Sequence, residues 1–439
     1  MFPHPIKSKT PSFNPAVQSI SQAKKTISFG IFKKIKTAFQ LLIAHSSLKT
    51  SLFEKRNTAN IYPFFAVIVA VLFFASCQKE ALSDPMLNTT TSGDLSASAS
   101  GNTPPIVNAG PMRVVVYPSS TSTTLSGRAS DADGGITFRW KQTSGTSDAN
   151  IAQPTKASTT VSNLKPGLYT FVLIATDKKG ATNSDTTTVT VLERVTWNIE
   201  GVTREALVHP AAGNPRSAPV IIAFHGHGGT DEKYALKEFE LSWPEAIVVY
   251  PQGLRTKTSV DKEGKKPGWQ SSVGEVNNFT HIKDQDIKFF DAMLPKLQQQ
   301  YNANLNFVFV HGWSNGGEFI YNVLWNARAN NLAGLAPAGA RLGSMNGKKP
   351  VPVIHTAGKQ DDKVSFNRQK QSTEDDRTID KCSSNGTTWA KGPDGLLGTH
   401  YDSPIEAPVV FLQYDGGHIF PSTVQPQIVN FFKEIAGVK

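Results

Sequence analysis

From residue 196 onward, short apolar runs alternate with stretches of helical periodicity. "APVIIAF", "AIVVY", "LNFVFV", "VPVIH" and "APVVFLQY" are runs of the kind that fill strands covered on both faces, while "DQDIKFFDAMLPKLQQQY" and "QPQIVNFFKEIA" space their apolar residues as an amphipathic helix does. Strands alternating with helices predict a mostly parallel sheet flanked by helices, an α/β domain over residues 196–439. Upstream the rhythm differs. Over residues 103–193, short β-branched runs alternate in polarity and are separated by turn signals such as "DADGG" and "DKKG", which predicts a small β-sandwich. Residues 77–102 are rich in Ser, Thr and Gly with little to bury, and read as a flexible tether.

Residues 1–76 form an N-terminal extension that ends in an apolar run from Ile61 to Ala75, preceded by Lys55 and Arg56 and followed by Cys77. A positive flank, a short apolar core and a small-residue exit describe an export signal, and the run is short for a bilayer span. "FFASC" resembles the bacterial lipobox, with Phe74 where that motif usually has Leu, Val or Ile, and "CQKE" is similar to the start of surface lipoproteins of the Bacteroidetes. The resemblance implies lipidation of Cys77 and a membrane-anchored, exported protein. The length before the signal is unusual and fits a misassigned start codon. With Cys77 lipidated, Cys382 has no partner for an internal disulfide.

The formal net charge of +10 invites a nucleic-acid reading until its location is considered. Of the 45 Lys and Arg, ten precede residue 77 against the single acid Glu54, so the rest of the chain carries 35 basic and 34 acidic residues. A near-neutral mature chain without an aromatic-basic motif removes nucleic acid as a partner.

The chemistry centres on "HGWSNGGEF", residues 311–319, between a strand and a helix. Gly312 and Gly316 leave room for a sharp strand-to-helix turn that holds the Ser314 hydroxyl at its tip. A serine needs an imidazole to take its proton and a carboxylate to orient that imidazole. "VPVIHTAGKQDDKVSF" supplies Asp361 and Asp362 after one strand, and "VVFLQYDGGHIFP" supplies His418 after the next, in the order Ser, Asp, His. Upstream, "FHGHGGT" follows the strand "APVIIAF", and its glycines let backbone amides approach a ligand oxygen. The two oxyanion donors are assigned to the amides of His227 and Asn315. No cofactor or metal is required by this chemistry.

Residues 103–192 resemble a PKD-type (polycystic kidney disease) repeat, an Ig-like β-sandwich: "SDADGGITFRW" carries its Asp-Gly turn and core tryptophan, Trp140, and "ATDKKGAT" its last hairpin. Such a domain reads as a spacer or a module of weak glycan or protein contact. Residues 196–439 resemble the carbohydrate esterase family of feruloyl and acetylxylan esterases and the related polyhydroxybutyrate depolymerases, through "GVTREALVHP", "FHGHGG", "YPQG", "GWSNGG" and "GGHIFP". Phe420 stands where the family usually has tryptophan, and the family's cysteine pairs are missing. The resemblance implies an α/β-hydrolase fold and a serine esterase acting on acyl esters of plant polysaccharide through an acyl-enzyme. It also implies Asp361 as the acid, because Val364 completes an Asp-x-x-Val segment. Trp269, in "KKPGWQSS", resembles the family's Gly-Trp and is expected, with Trp313, to line the substrate pocket; Asp286 is expected to cap a helix. A polyhydroxybutyrate depolymerase, a serine peptidase and a catalytically inactive glycan-binding lipoprotein are the other readings.

Overall fold

The computed structural model describes residues 102–438 except 133 and 214. The export signal, the Cys77 lipidation site and all but the last residue of the tether lie outside the described residues.

The β-branched segment becomes nine strands: β1 (Ile106–Asn108), β2 (Arg113–Tyr117), β3 (Thr123–Ser126), β4 (Arg128–Ser130), β5 (Thr137–Ser144), β6 (Asn150–Ile151), β7 (Ser158–Ser162), β8 (Gly167–Thr176) and β9 (Thr182–Ile199). Strand β8 buries every second residue, as a strand with one face on a core must. Its inward residues Tyr169, Phe171 and Leu173 pack with Trp140 of β5 and with Leu125 and Val161 of the β3–β7–β6 sheet. The Trp140 indole N–H donates to the Ala157 carbonyl at 3.2 Å, so burial leaves it satisfied. Asp177 closes the last hairpin by accepting from the Lys179 and Ala181 amides.

Downstream follow β10 (Val202–His209), β11 (Ala218–Phe224), β12 (Ile247–Pro251), β13 (Leu254–Arg255), β14 (Pro267–Gly268), β15 (Ala303–Trp313), β16 (Gly334–Ala338), β17 (Val353–Gly358), β18 (Thr387–Lys391), β19 (Leu397–Tyr401) and β20 (Val409–Tyr414). All but the short pair β13–β14 join one large mixed sheet, in the order β18-β19-β20-β17-β16-β15-β11-β12-β10-β9 and onward into the sandwich. The neighbours from β12 to β20 run parallel, while β10 and β19 are antiparallel to theirs. Strands β12, β16 and β17 are buried at every position, which requires cover on both faces. Helix α1 (Gln285–Tyr301) covers one face with Phe289, Phe290, Met293 and Leu297. Helix α4 (Gln425–Ile435) covers the other with Ile428, Val429, Phe431 and Phe432. Two further helices, α2 (Asn315–Phe319) and α3 (Phe366–Ile379), lie beside the site described below.

The two regions meet without a linker. Strand β9 pairs with β8 through residues 182–191 and with β10 through residues 193–199, and β2 lies alongside at residues 189–193. Leu192 is buried in the core of the downstream region with Leu207 and Val248, and Val114 and Val116 of β2 pack against that same core. Arg194 on β9 faces Glu205, Asp231 and Glu232 at 3.1, 2.9 and 2.7 Å. A detachable spacer would not share a strand and a core in this way.

Candidate active site

Strand β15 runs into α2 through Ser314, whose backbone sits at φ 53° and ψ −117°. A side-chain-bearing residue at positive φ is strained, and such strain persists only where its surroundings hold it. Here the Ser314 amide donates to the Ala338 carbonyl and its own carbonyl accepts from Glu318, both at 2.8 Å. The glycines are needed for close approach: a Cβ on Gly312 would fall 2.2 Å from the Gly316 carbonyl oxygen, and one on Gly316 would fall 2.5 Å from that of Phe224. The turn therefore lifts the Ser314 hydroxyl above the ends of β11 and β15.

Three side chains separated along the chain meet there. Ser314 Oγ lies 3.0 Å from His418 Nε2, and His418 Nδ1 lies 2.8 Å from Asp361 Oδ2. The Asp361 side chain is fully buried and that of His418 is 17% exposed. A carboxylate facing Nδ1 makes that nitrogen the N–H donor, which leaves Nε2 as the acceptor turned toward the hydroxyl. Asp361 is held by the loop after β17: Oδ1 accepts the amides of Lys363 and Val364, each at 2.9 Å. The Asp-x-x-Val spacing thus supplies backbone donors to the carboxylate. Asp362 turns outward and pairs with Lys363 at 3.0 Å, and that ammonium holds its carboxyl below the usual range. Gln369, which the sequence reading did not single out, donates from Nε2 to Asp361 Oδ2 at 3.0 Å and to the Val364 carbonyl at 2.6 Å. No motif marked it; a buried glutamine in the first turns of α3 is the only trace.

The glycine-rich loop expected to carry the oxyanion donors follows β11. Neither the His227 nor the Asn315 amide has an acceptor among the described residues, and both residues line the cleft beside Ser314. His225 is buried and shapes this loop: Nε2 accepts the Gly253 amide at 3.0 Å, and Nδ1 faces the Gly226 carbonyl at 2.7 Å. Those partners fit one neutral tautomer, and burial pushes its pKa down to about 4. An unfolded imidazole titrates near 6.5, so the unfolded chain binds the extra proton between the two values. The contribution of His225 is intact above about pH 6.5 and is lost as pH falls through about 4, on the order of 3 kcal/mol in full. In urea-unfolding measurements from pH 7 to 4.5, wild type should lose stability more steeply than His225→Gln, which does not titrate there. Parallel curves would contradict this role.

One expectation about tryptophan is corrected. Trp269 does not line the pocket; it is 0% exposed. Its indole N–H donates to the His225 carbonyl at 2.8 Å, and its ring packs edge-on against Phe224 and flat against Phe319. The Asn315 side chain grips its backbone from both ends, Oδ1 accepting the Trp269 amide at 2.8 Å and Nδ2 donating to its carbonyl at 3.2 Å. Trp269 therefore braces the loop behind the nucleophile. Trp313 is half-buried beside Ser314, and its ring sits against the imidazole of His418, with centroids 4.7 Å apart. Asp286, expected as a helix cap, instead pairs with buried Arg204 at 2.9 Å and accepts the Gln270 amide at 2.8 Å.

Ser314 opens into a cleft of about 1020 Å³. Hydroxyl and amide side chains dominate its walls, with Val260, Val273 and Val364 as apolar members.

Residues 109–191 match a family model for the PKD domain of KIAA0319-like proteins, so this segment is a PKD domain. Over 91 residues the chain is 37% identical to the dyslexia-associated protein KIAA0319 of Homo sapiens, which covers 20% of this chain and 8% of that protein. Over 202 residues the chain is 22% identical to the bifunctional acetylxylan esterase/xylanase XynS20E of Neocallimastix patriciarum, which covers 44% of this chain and 27% of that protein. The chain thus spans about a quarter of the length of one relative and under a tenth of the other. Among solved structures, the acetyl xylan esterase from Aspergillus awamori matches with a TM-score of 0.40 and 14% identity, covering 55% of this chain and 99% of that one.

Proposed function

We propose that the chain is a serine carboxylic-ester hydrolase whose downstream region is an α/β-hydrolase. The observation that carries this reading is the unbroken relay from Asp361 through His418 to a hydroxyl held on a strained strand-to-helix turn. The strand order β9-β10-β12-β11-β15-β16-β17-β20, with β10 antiparallel to both neighbours, supports the fold assignment by placing Ser314 at the carboxyl end of a central strand. In the reaction, His418 Nε2 takes the Ser314 proton as Oγ attacks the ester carbonyl. The His227 and Asn315 amides receive the oxyanion, and the imidazolium, held by Asp361, protonates the departing alcohol. Water then repeats the sequence on the acyl-enzyme. Trp269 acts behind these groups rather than on substrate.

The substrate is an acyl ester of a plant polysaccharide. A wide cleft walled by hydroxyl and amide groups suits a hydrated polymer, and acetyl is the acyl group proposed. The relative in Neocallimastix patriciarum, named an acetylxylan esterase/xylanase, supports the same choice. In this reading the segment ending at Cys77 serves as a lipoprotein export signal, which supports an anchored enzyme that meets insoluble polymer. Acetate release from acetylated xylan, measured beside methyl ferulate and hydroxybutyrate oligomers, tests the assignment. Acetate release by wild type and none by Ser314→Ala is expected; preferential turnover of hydroxybutyrate oligomers would replace it with the depolymerase reading.

A further inference from the structure

The cleft carries positive charge that the ester chemistry does not use. Arg341 lies just beyond the end of β16 and Arg368 in the first turn of α3, and both line the cleft that holds Ser314. Their backbones are tied through one buried hydroxyl: Ser372 Oγ accepts the Leu342 amide at 2.9 Å and donates to the Arg368 carbonyl at 3.0 Å. The two guanidinium groups therefore spring from adjoining segments on one wall. The charges around them are unequally matched. Lys363 is answered by Asp362 at 3.0 Å. Arg341 meets Glu318 only at 3.5 Å, with half of its own side chain exposed, a contact worth little in water. Arg368 has no ion-pair or hydrogen-bond partner for its side chain among the described residues. Guanidinium groups are planar forks that bind carboxylates through paired, charge-assisted hydrogen bonds.

Resting on the esterase reading of this site, we propose that Arg341 and Arg368 form a carboxylate subsite, and that the preferred substrate is an acylated polysaccharide carrying uronic acid groups near the ester. The subsite binds the alcohol portion of the substrate and leaves the acyl chemistry at Ser314 unchanged.

The test compares kcat/KM of the full chain on acetylated, uronate-bearing xylan and on the same polymer after its carboxyl groups have been reduced to alcohols. Wild type should favour the acidic polymer by roughly tenfold, a preference that shrinks as salt rises. R341Q/R368Q should erase the preference while leaving p-nitrophenyl acetate turnover within about twofold, since that ester reaches no subsite. R341K/R368K, which keeps charge but loses the fork, should retain part of it. Equal rates on the two polymers, or a preference that survives R341Q/R368Q, overturns the subsite. A larger effect of R341Q/R368Q on p-nitrophenyl hemisuccinate than on the acidic polymer overturns its placement on the alcohol side. Failure of wild type to hydrolyse p-nitrophenyl acetate would instead strike the esterase reading, so the two failures are distinct.

Discussion

Asp361→Asn should lower kcat on p-nitrophenyl acetate by about 10⁴-fold, whereas Asp362→Asn should leave it within about threefold. The two residues are adjacent in sequence and opposite in environment. The Asp361 carboxylate accepts from His418, Gln369 and two backbone amides, and its side chain is fully buried. An amide at that position keeps the size but presents an N–H group where His418 Nδ1 needs an acceptor, so the ring turns over or takes the tautomer with Nε2 protonated. Nε2 can then no longer receive the Ser314 proton. Asp362 is 70% exposed and pairs with Lys363 rather than with the imidazole. KM for this small ester should change little in either variant, because Asp361 is buried beneath His418 and Asp362 is tied to Lys363. A comparable loss from both substitutions would mean that charge near the cleft, rather than the orientation of His418, governs the rate.

Deleting residues 103–192 should destabilise the remaining fragment by several kcal/mol, lowering its melting temperature by roughly 10 °C and reducing its activity on small soluble esters. The deletion removes Leu192 from the downstream core together with Val114 and Val116, which pack against it. It also strips β9 of its pairing with β2 and β8, leaving residues 193–199 as a short exposed edge beside β10. Differential scanning calorimetry of the two forms checks this. An unchanged melting temperature for the 193–439 fragment would show the sandwich to be an independent spacer.

The apolar runs announced most of the central strands because a strand covered on both faces leaves a continuous hydrophobic trace, as in "AIVVY" and β12. Ser314, Asp361 and His418 were legible because each follows such a strand in the order the chemistry demands. The choice of Asp361 over Asp362 rests on the resemblance's Asp-x-x-Val spacing, and its physical reason appears only in the fold. It depends on which carboxylate the turn after β17 folds beneath the amides of Lys363 and Val364. Trp269 misled because a Gly-Trp dipeptide beside a site looks like a wall, while its fate is set by two distant partners, the Asn315 side chain and the His225 carbonyl. Gln369 was invisible for a related reason: a lone glutamine acquires its role only when α3 folds against the loop that carries Asp361. The break assumed between residues 193 and 196 hid the longest strand, because "TTTVTVLERVTWNI" alternates on either side of residues 189–192, which are buried at successive positions where the strand passes from one core to the next.

The relay at Ser314 is tested most directly by an active-site fluorophosphonate followed by peptide mass spectrometry. A single adduct on Ser314 is predicted, forming far more slowly in His418→Ala and absent from Ser314→Ala. An unlabelled wild-type protein, or labelling that Ser314→Ala leaves intact, would contradict it.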